Sequence, residues 1–219
     1  MRESRIETEG IPGRLYEPDG ARGLLLLGHG GGGSKDEERF VGLARQYAEG
    51  TGLATVCIDI VGHGERQSSP MPAPAPDRIM PWIMEKVDQT VSDWKATVAA
   101  LSHIGPPVAY AGFSMGMLLG GPVVVSMPEI KVVVFGVGGV PAALGDGSVV
   151  LDYAKQLGER QVLMLNMTQD PLFPPSGALE YFAAIPGRRK RMMFWEGGHT
   201  ELPSEAIRHS ITVVNRHAG

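Results

Sequence analysis

The stretch Val108-Ala109-Tyr110-Ala111-Gly112-Phe113-Ser114-Met115-Gly116 decides how the rest of the chain is read. Its apolar run ends on Gly112, Ser114 follows two residues later, and Gly116 stands two residues beyond that, which is the G-x-S-x-G pattern. Where a strand runs directly into a helix, the chain must turn sharply at the serine and expose its hydroxyl at the rim of a sheet. The two glycines remove side chains that would collide with the neighbouring strand and helix. The same turn presents the Met115 amide at the positive end of the helix that follows. A plain glycine-rich turn also satisfies the pentapeptide, but the apolar run before it and the helix-capable segment Met115 to Ser126 after it favour the elbow. Pro122 is expected to kink or end that helix about two turns in.

Outward from this point, short apolar runs recur: Gly23 to Leu27, Ala54 to Ile60, Val108 to Ala111, Val132 to Phe135, Gln161 to Asn166 and Arg191 to Trp195. Runs apolar on both faces are what strands buried in a parallel sheet require. Between them lie segments with helical spacing. Glu37 to Glu49 carries Phe40, Leu43, Ala44 and Tyr47 on one side, and Trp82 to Leu101 carries Ile83, Val87, Val91, Trp94, Val98 and Leu101. Ser176 to Ala184 and Glu205 to Val214 read the same way. Strands alternating with helices predict an α/β fold, a mostly parallel, doubly wound sheet with helices on both faces. The first twenty residues are expected to add one or two antiparallel edge strands, interrupted by Pro12-Gly13 and Pro18-Asp19-Gly20. The Pro-rich segment Ser69 to Pro76 reads as a loop within the sheet's connectivity. A length of 219 residues suits a single domain over 1–219.

Composition excludes several classes. Twenty basic residues against 24 acidic ones give a net charge of −4, with no electrostatic footprint for nucleic acid. The one basic run, Arg188 to Arg191, is read as a solvated turn before a strand and not as a phosphate-binding patch. The single cysteine, Cys57, falls inside an apolar run and is expected to be buried and inert. No run is long enough to span a bilayer, and the charged residues Met1 to Gly10 lack the apolar core of a secretory signal. The cytoplasm is the expected location, without membrane or nucleic-acid partners.

The loop Gly28-His29-Gly30-Gly31-Gly32-Gly33-Ser34-Lys35 admits two readings. Gly28, Gly30 and Gly33 satisfy G-x-G-x-x-G after a strand, and Asp59 ends the next strand, as in a dinucleotide fingerprint of an oxidoreductase. The order Gly-Ser-Lys disfavours a phosphate-binding P-loop. Alternatively the loop donates a second amide to an oxyanion, with Gly31 as donor beside Met115. The loop alone leaves the choice open; the elbow downstream favours the second.

Given Ser114, an acid and then a histidine are expected later in the chain. Asp170, in Thr168-Gln169-Asp170-Pro171-Leu172-Phe173-Pro174, lies beyond the carboxyl end of a strand, although Asp-Pro is also a common turn. Asp146 is the second candidate. His199, in Glu196-Gly197-Gly198-His199-Thr200, is the histidine in the required place. His103, His209 and His217 fall on expected helices and are read as surface residues. His29 and His63, beside glycines in other loops, are read as structural.

With HGGGGSK at 29–35, the turn Asp59…Gly62-His63-Gly64, GFSMG at 112–116, QDPLFPP at 169–175 and GGH at 197–199, nearly the whole chain resembles the α/β-hydrolase superfamily. It is most similar to compact esterases and dienelactone-hydrolase-like members. Serine stands where dienelactone hydrolases usually carry cysteine. The resemblance implies an α/β-hydrolase fold and a serine esterase that works through an acyl-enzyme, with Ser114, Asp170 and His199 as catalytic residues. A thioesterase, a lactonase or a carbon–carbon bond hydrolase would use the same groups. No cofactor or metal is expected; the partner is a small-molecule ester, and a homodimer is left open. Relatives with a large lid insert it between the strands ending near Phe135 and starting near Gln161, and this chain has no room for one there. Gln67 to Trp82, with Met71, Met80 and Trp82, is expected either to cover the site partly or to join the core of the next helix.

Overall fold

Backbone groups buried on both sides must be bonded to neighbouring strands, so the apolar runs assemble into one sheet. In the computed structural model, which describes residues 1–67, 76–143 and 148–218, that sheet has eight strands. They are β1 (Arg2–Thr8), β2 (Ile11–Glu17), β3 (Leu24–Gly28), β4 (Ala54–Ile58), β5 (Pro107–Phe113), β6 (Val132–Gly136), β7 (Gln161–Met167) and β8 (Lys190–Trp195), in the order β1-β2-β4-β3-β5-β6-β7-β8. β3 to β8 pair in parallel, while β1 and β2 run antiparallel at one side.

The two-residue period of strands divides their side chains between two cores. Leu24, Leu26, Val133 and Phe135 enter the layer under α3 (Val87–Ala100), α4 (Met115–Ser126), α5 (Ser148–Lys155) and α6 (Pro175–Ala184). Leu25, Leu27, Val132 and Val134 enter the opposite layer, with Phe40 and Tyr47 of α1 (Glu38–Thr51) and Ile207 and Val214 of α7 (Ser204–His217). The doubly wound α/β architecture follows. Cys57 on β4 is 1% exposed, and burial pushes its thiol well above the usual range.

Several local expectations need correction. The first hairpin turns at Glu9-Gly10, both with positive φ (53° and 77°), as a tight two-residue turn requires. Pro12-Gly13 lie inside β2, where Pro12 pairs with Glu7 and its carbonyl accepts the Asp59 amide at 3.0 Å. β2 is therefore an inner strand, and of these two only β1 lies at an edge of the sheet. The helix expected over Trp82 to Leu101 is two helices, α2 (Pro76–Met84) and α3. They break at Lys86, which bends its ammonium back onto the Trp82 carbonyl at 3.0 Å. The α5 helix had no counterpart among the helices read from spacing.

Pro122 does not end α4, which continues to Ser126. Every residue from Met115 to Val124 is buried, so packing overrides local propensity. Gly120 lets the Tyr110 ring approach so closely that a Cβ would stand 2.3 Å from it. Most of the Ser69 to Pro76 loop, with Met71, lies outside the described residues. No helix among those described is long and apolar enough to cross a membrane.

Candidate active site

The carboxyl ends of β3 to β8 all face one rim, where an open α/β sheet builds its site. At the end of β5, Ser114 has φ 56° and ψ −116°, a conformation that L-residues avoid. Its amide donates to Gly136 O at 2.9 Å, and its carbonyl accepts the amides of Met117 and Leu118, which fixes the turn from both sides. The flanking glycines are steric necessities. A Cβ on Gly112 would lie 2.2 Å from Gly116 O, and one on Gly116 would lie 2.3 Å from Gly28 O.

His199 follows β8 and Asp170 follows β7, and the two loops are joined where the Gln169 amide donates to Gly197 O at 2.9 Å. His199 Nε2 lies 2.8 Å from Ser114 Oγ, and its Nδ1 lies 2.7 Å from Asp170 Oδ2. The other Asp170 oxygen accepts the amides of Leu172 (2.9 Å) and Phe173 (3.0 Å), so the buried carboxylate is held at both oxygens. Phe173 also stacks on the imidazole, with centroids 5.7 Å apart and planes 20° apart. Its place in QDPLFPP gave no signal for that role, because stacking depends on how two distant loops meet. Asp146 lies outside the described residues.

The loop after β3 passes beside the elbow. A Cβ on Gly31 would come 3.9 Å from the Met115 Cβ, and both residues line the cavity that contains Ser114. The Met115 amide, in the first turn of α4, has no acceptor within its own helix. Gly31 and Met115 thus lie side by side in the lining of the cavity that holds Ser114.

That cavity measures about 290 Å³. Besides Ser114 and His199, the described lining is apolar: Met80, Trp82 and Ile83 from α2, Leu118 from α4, Pro141 to Ala143 after β6, and Pro171 to Phe173. Met80 and Ile83 also belong to the core under α3 and α4. The alternatives of cover and core are thus one arrangement for α2.

Among the other histidines, His103 lies in the turn after α3 and His217 ends α7, both exposed. His209 on α7 is half-buried instead of sitting on the surface. His29 is fully buried; its Nδ1 donates to Gly30 O at 2.9 Å and its Nε2 accepts the Ile60 amide at 3.1 Å. Burial holds its pKa down at about 4, so the ring is neutral in this arrangement. His63 is packed between His29 and Trp82, with centroids 5.3 Å from each. Among the described residues, no three histidine, cysteine or carboxylate side chains group as metal ligands do.

No protein-family model matches the chain, and no curated protein does. Solved structures do. A cold-adapted esterase from an Arctic intertidal metagenomic library aligns at TM-score 0.82 and 27% identity, over 98% of this chain and 92% of that one. TT1662 from Thermus thermophilus aligns at 0.80 and 20% identity, over 98% and 97% of the two chains. The Pyrococcus furiosus esterase Pf2001 aligns at 0.73 and 17%, over 100% and 93%. This chain has the α/β-hydrolase fold.

An α/β-hydrolase with a lid carries it between β6 and β7; here the described residues of that connection form α5 and short turns, with no large lid among them. The dinucleotide alternative meets an obstacle in the same fold. Asp59, which would have to reach a ribose, is fully buried, and its oxygens are taken by the Lys35 amide, the Lys35 ammonium and the Glu65 amide. Spacing alone gave no hint of this engagement, which joins positions 24 residues apart.

Proposed function

We propose that this α/β-hydrolase is a serine esterase acting on small, soluble carboxylic esters. The observation that carries the reading is the unbroken hydrogen-bonded chain Asp170–His199–Ser114 at the mouth of an apolar cavity. His199 takes the hydroxyl proton as Ser114 Oγ attacks the ester carbonyl, and Asp170 holds the imidazole in the productive tautomer and stabilises the imidazolium. The Gly31 and Met115 amides receive the negative charge on the carbonyl oxygen. His199 then protonates the departing alcohol, and water, activated by the same imidazole, releases the acid from Ser114.

A cavity volume near 290 Å³ is at the lower end for ligand pockets and equals the space of about ten waters. It favours short or single-ring acyl groups over long lipid chains. The esterases among the structural neighbours support ester hydrolysis as the chemistry.

The test is Ser114→Ala, assayed on a short-chain aryl ester, with circular dichroism to establish folding. By analogy with other serine triads, kcat should fall on the order of 10⁶-fold. Turnover at a rate close to the unaltered protein's would remove Ser114 as nucleophile. The same assay over graded esters, thioesters and lactones ranks the leaving groups; a thioester or lactone preferred over every ester would replace the esterase reading by that activity.

A further inference from the structure

The loop from His29 to Lys35 carries Gly31 past Ser114, and both of its ends are fastened to adjacent residues just beyond β4. At the near end, His29 accepts the Ile60 amide. At the far end, the Lys35 amide donates to Asp59 Oδ1 at 2.9 Å, and the Lys35 ammonium donates to Asp59 Oδ2 at 3.0 Å. Between the two fastenings, the Gly33 amide donates to Gly30 O at 3.1 Å and closes a turn around Gly31 and Gly32.

The far fastening is built with care. The Lys35 side chain is 1% exposed, and Asp36 and Glu65 also accept from its ammonium. Burial works against the charge, but these three carboxylates outweigh it and hold the Lys35 pKa above the ordinary lysine value. Asp59 Oδ2 takes a further bond from the Glu65 amide at 3.0 Å. Gly64 makes room for the carboxylate, since a Cβ there would stand 2.3 Å from it.

A buried ion pair is a costly way merely to hold a loop in place, because well-packed apolar side chains often do so equally well. What it adds is direction, through hydrogen bonds of fixed geometry. An oxyanion donor must lie within a few tenths of an ångström of its working distance, and a misplacement of about 1 Å can cost on the order of 100-fold in rate.

We infer that Lys35 and Asp59 are positioning residues that aim the Gly31 amide at the developing oxyanion, acting on the chemical step and not on substrate binding. The inference rests on the proposed roles of Ser114 and Gly31. Lys35→Met, Asp59→Asn and the two combined are compared, each titrated with a neutral aryl phosphonate that counts reactive serines, so that unfolded protein drops out of kcat. Each variant should lose roughly 10- to 100-fold in kcat per titrated site, with KM within about threefold. The readout specific to positioning is affinity for a trifluoromethyl ketone. Ser114 Oγ adds to its carbonyl carbon, the hydroxyl proton passes to His199, and the carbonyl oxygen takes the negative charge. That affinity should fall by the same factor as kcat.

A clamp that only stabilises the fold gives the opposite result, a lower Tm with kcat per titrated site within twofold of the unaltered protein, and overturns the inference. Where Lys35→Met yields no folded protein, Lys35→Arg, which keeps the charge but shifts its distance, should still lower kcat at constant KM; an unchanged kcat overturns the inference equally. Failure of the unaltered protein to react with the phosphonate would instead sink the serine reading itself, before the clamp is tested.

Discussion

Asp170 shows how much one side chain can be asked to do. Its Oδ1 is held by two backbone amides while Oδ2 faces the histidine, so the carboxylate cannot rotate away. Asp170→Asn would keep the carbonyl oxygen on those amides and turn its NH2 group toward His199 Nδ1. The imidazole would then have to accept at Nδ1 and carry its proton on Nε2, which is the wrong tautomer for removing a proton from Ser114. A loss on the order of 10⁴ in kcat is expected, with little change in the unfolding midpoint. Asp146→Asn should change kcat no more than a few-fold; a larger loss there than at Asp170 would transfer the acid's role. The sharp turn at Ser114 was legible from its pentapeptide because strand, turn and helix are contiguous in the chain. Phe173 and the bonds of Asp59 were not, because their partners arrive from other loops.

Among the elements, the strand–turn–helix unit β5–α4 is closely packed. The Tyr110 hydroxyl donates to Gly116 O at 2.6 Å, and the Tyr110 ring continues edge-on to Trp94 and Phe135, so the elbow is anchored in the aromatic core. Two glycine substitutions should therefore have opposite signs. Gly116→Ala would drive a methyl into the Gly28 backbone and part the elbow from the loop after β3, costing about 1–3 kcal/mol or more. Gly42→Ala, in the interior of α1 with nothing within 4 Å, should stabilise by roughly 0.5–1 kcal/mol. Chemical denaturation of the two variants checks both signs. The strands of the parallel sheet were readable because doubly buried segments are apolar throughout. The continuation of α4 through Pro122 and the break at Lys86 were not, since the first depends on packing from all sides and the second on a side chain folding back on its own helix.

For the whole molecule, acid is the natural stress. His29 has an ordinary pKa of 6.5, and burial lowers it to about 4 in the fold; burial lowers His63 as well. Between those two pH values the unfolded chain binds a proton at His29 that the folded chain refuses. Stability should therefore decline as pH falls from about 6.5 to about 4, by about 3 kcal/mol from His29 alone. Urea midpoints across that range should show the decline. His29→Gln, which retains an acceptor for the Ile60 amide without a titrating ring, should flatten it; an unchanged slope would rule His29 out as its source. The doubly wound architecture was foreseeable as a whole because connection rules leave few ways to wind six parallel strands. The fastening of the loop after β3 to the end of β4 is a consequence of that winding which no local pattern encodes.

The thiol on β4 has a practical corollary. Maleimides and haloacetamides react with exposed thiolates, and Cys57 offers neither exposure nor ready ionisation. A cysteine introduced on the outer face of α7 would then be the molecule's single addressable handle, so that one fluorophore or one surface tether could be attached at a chosen point without first deleting anything native.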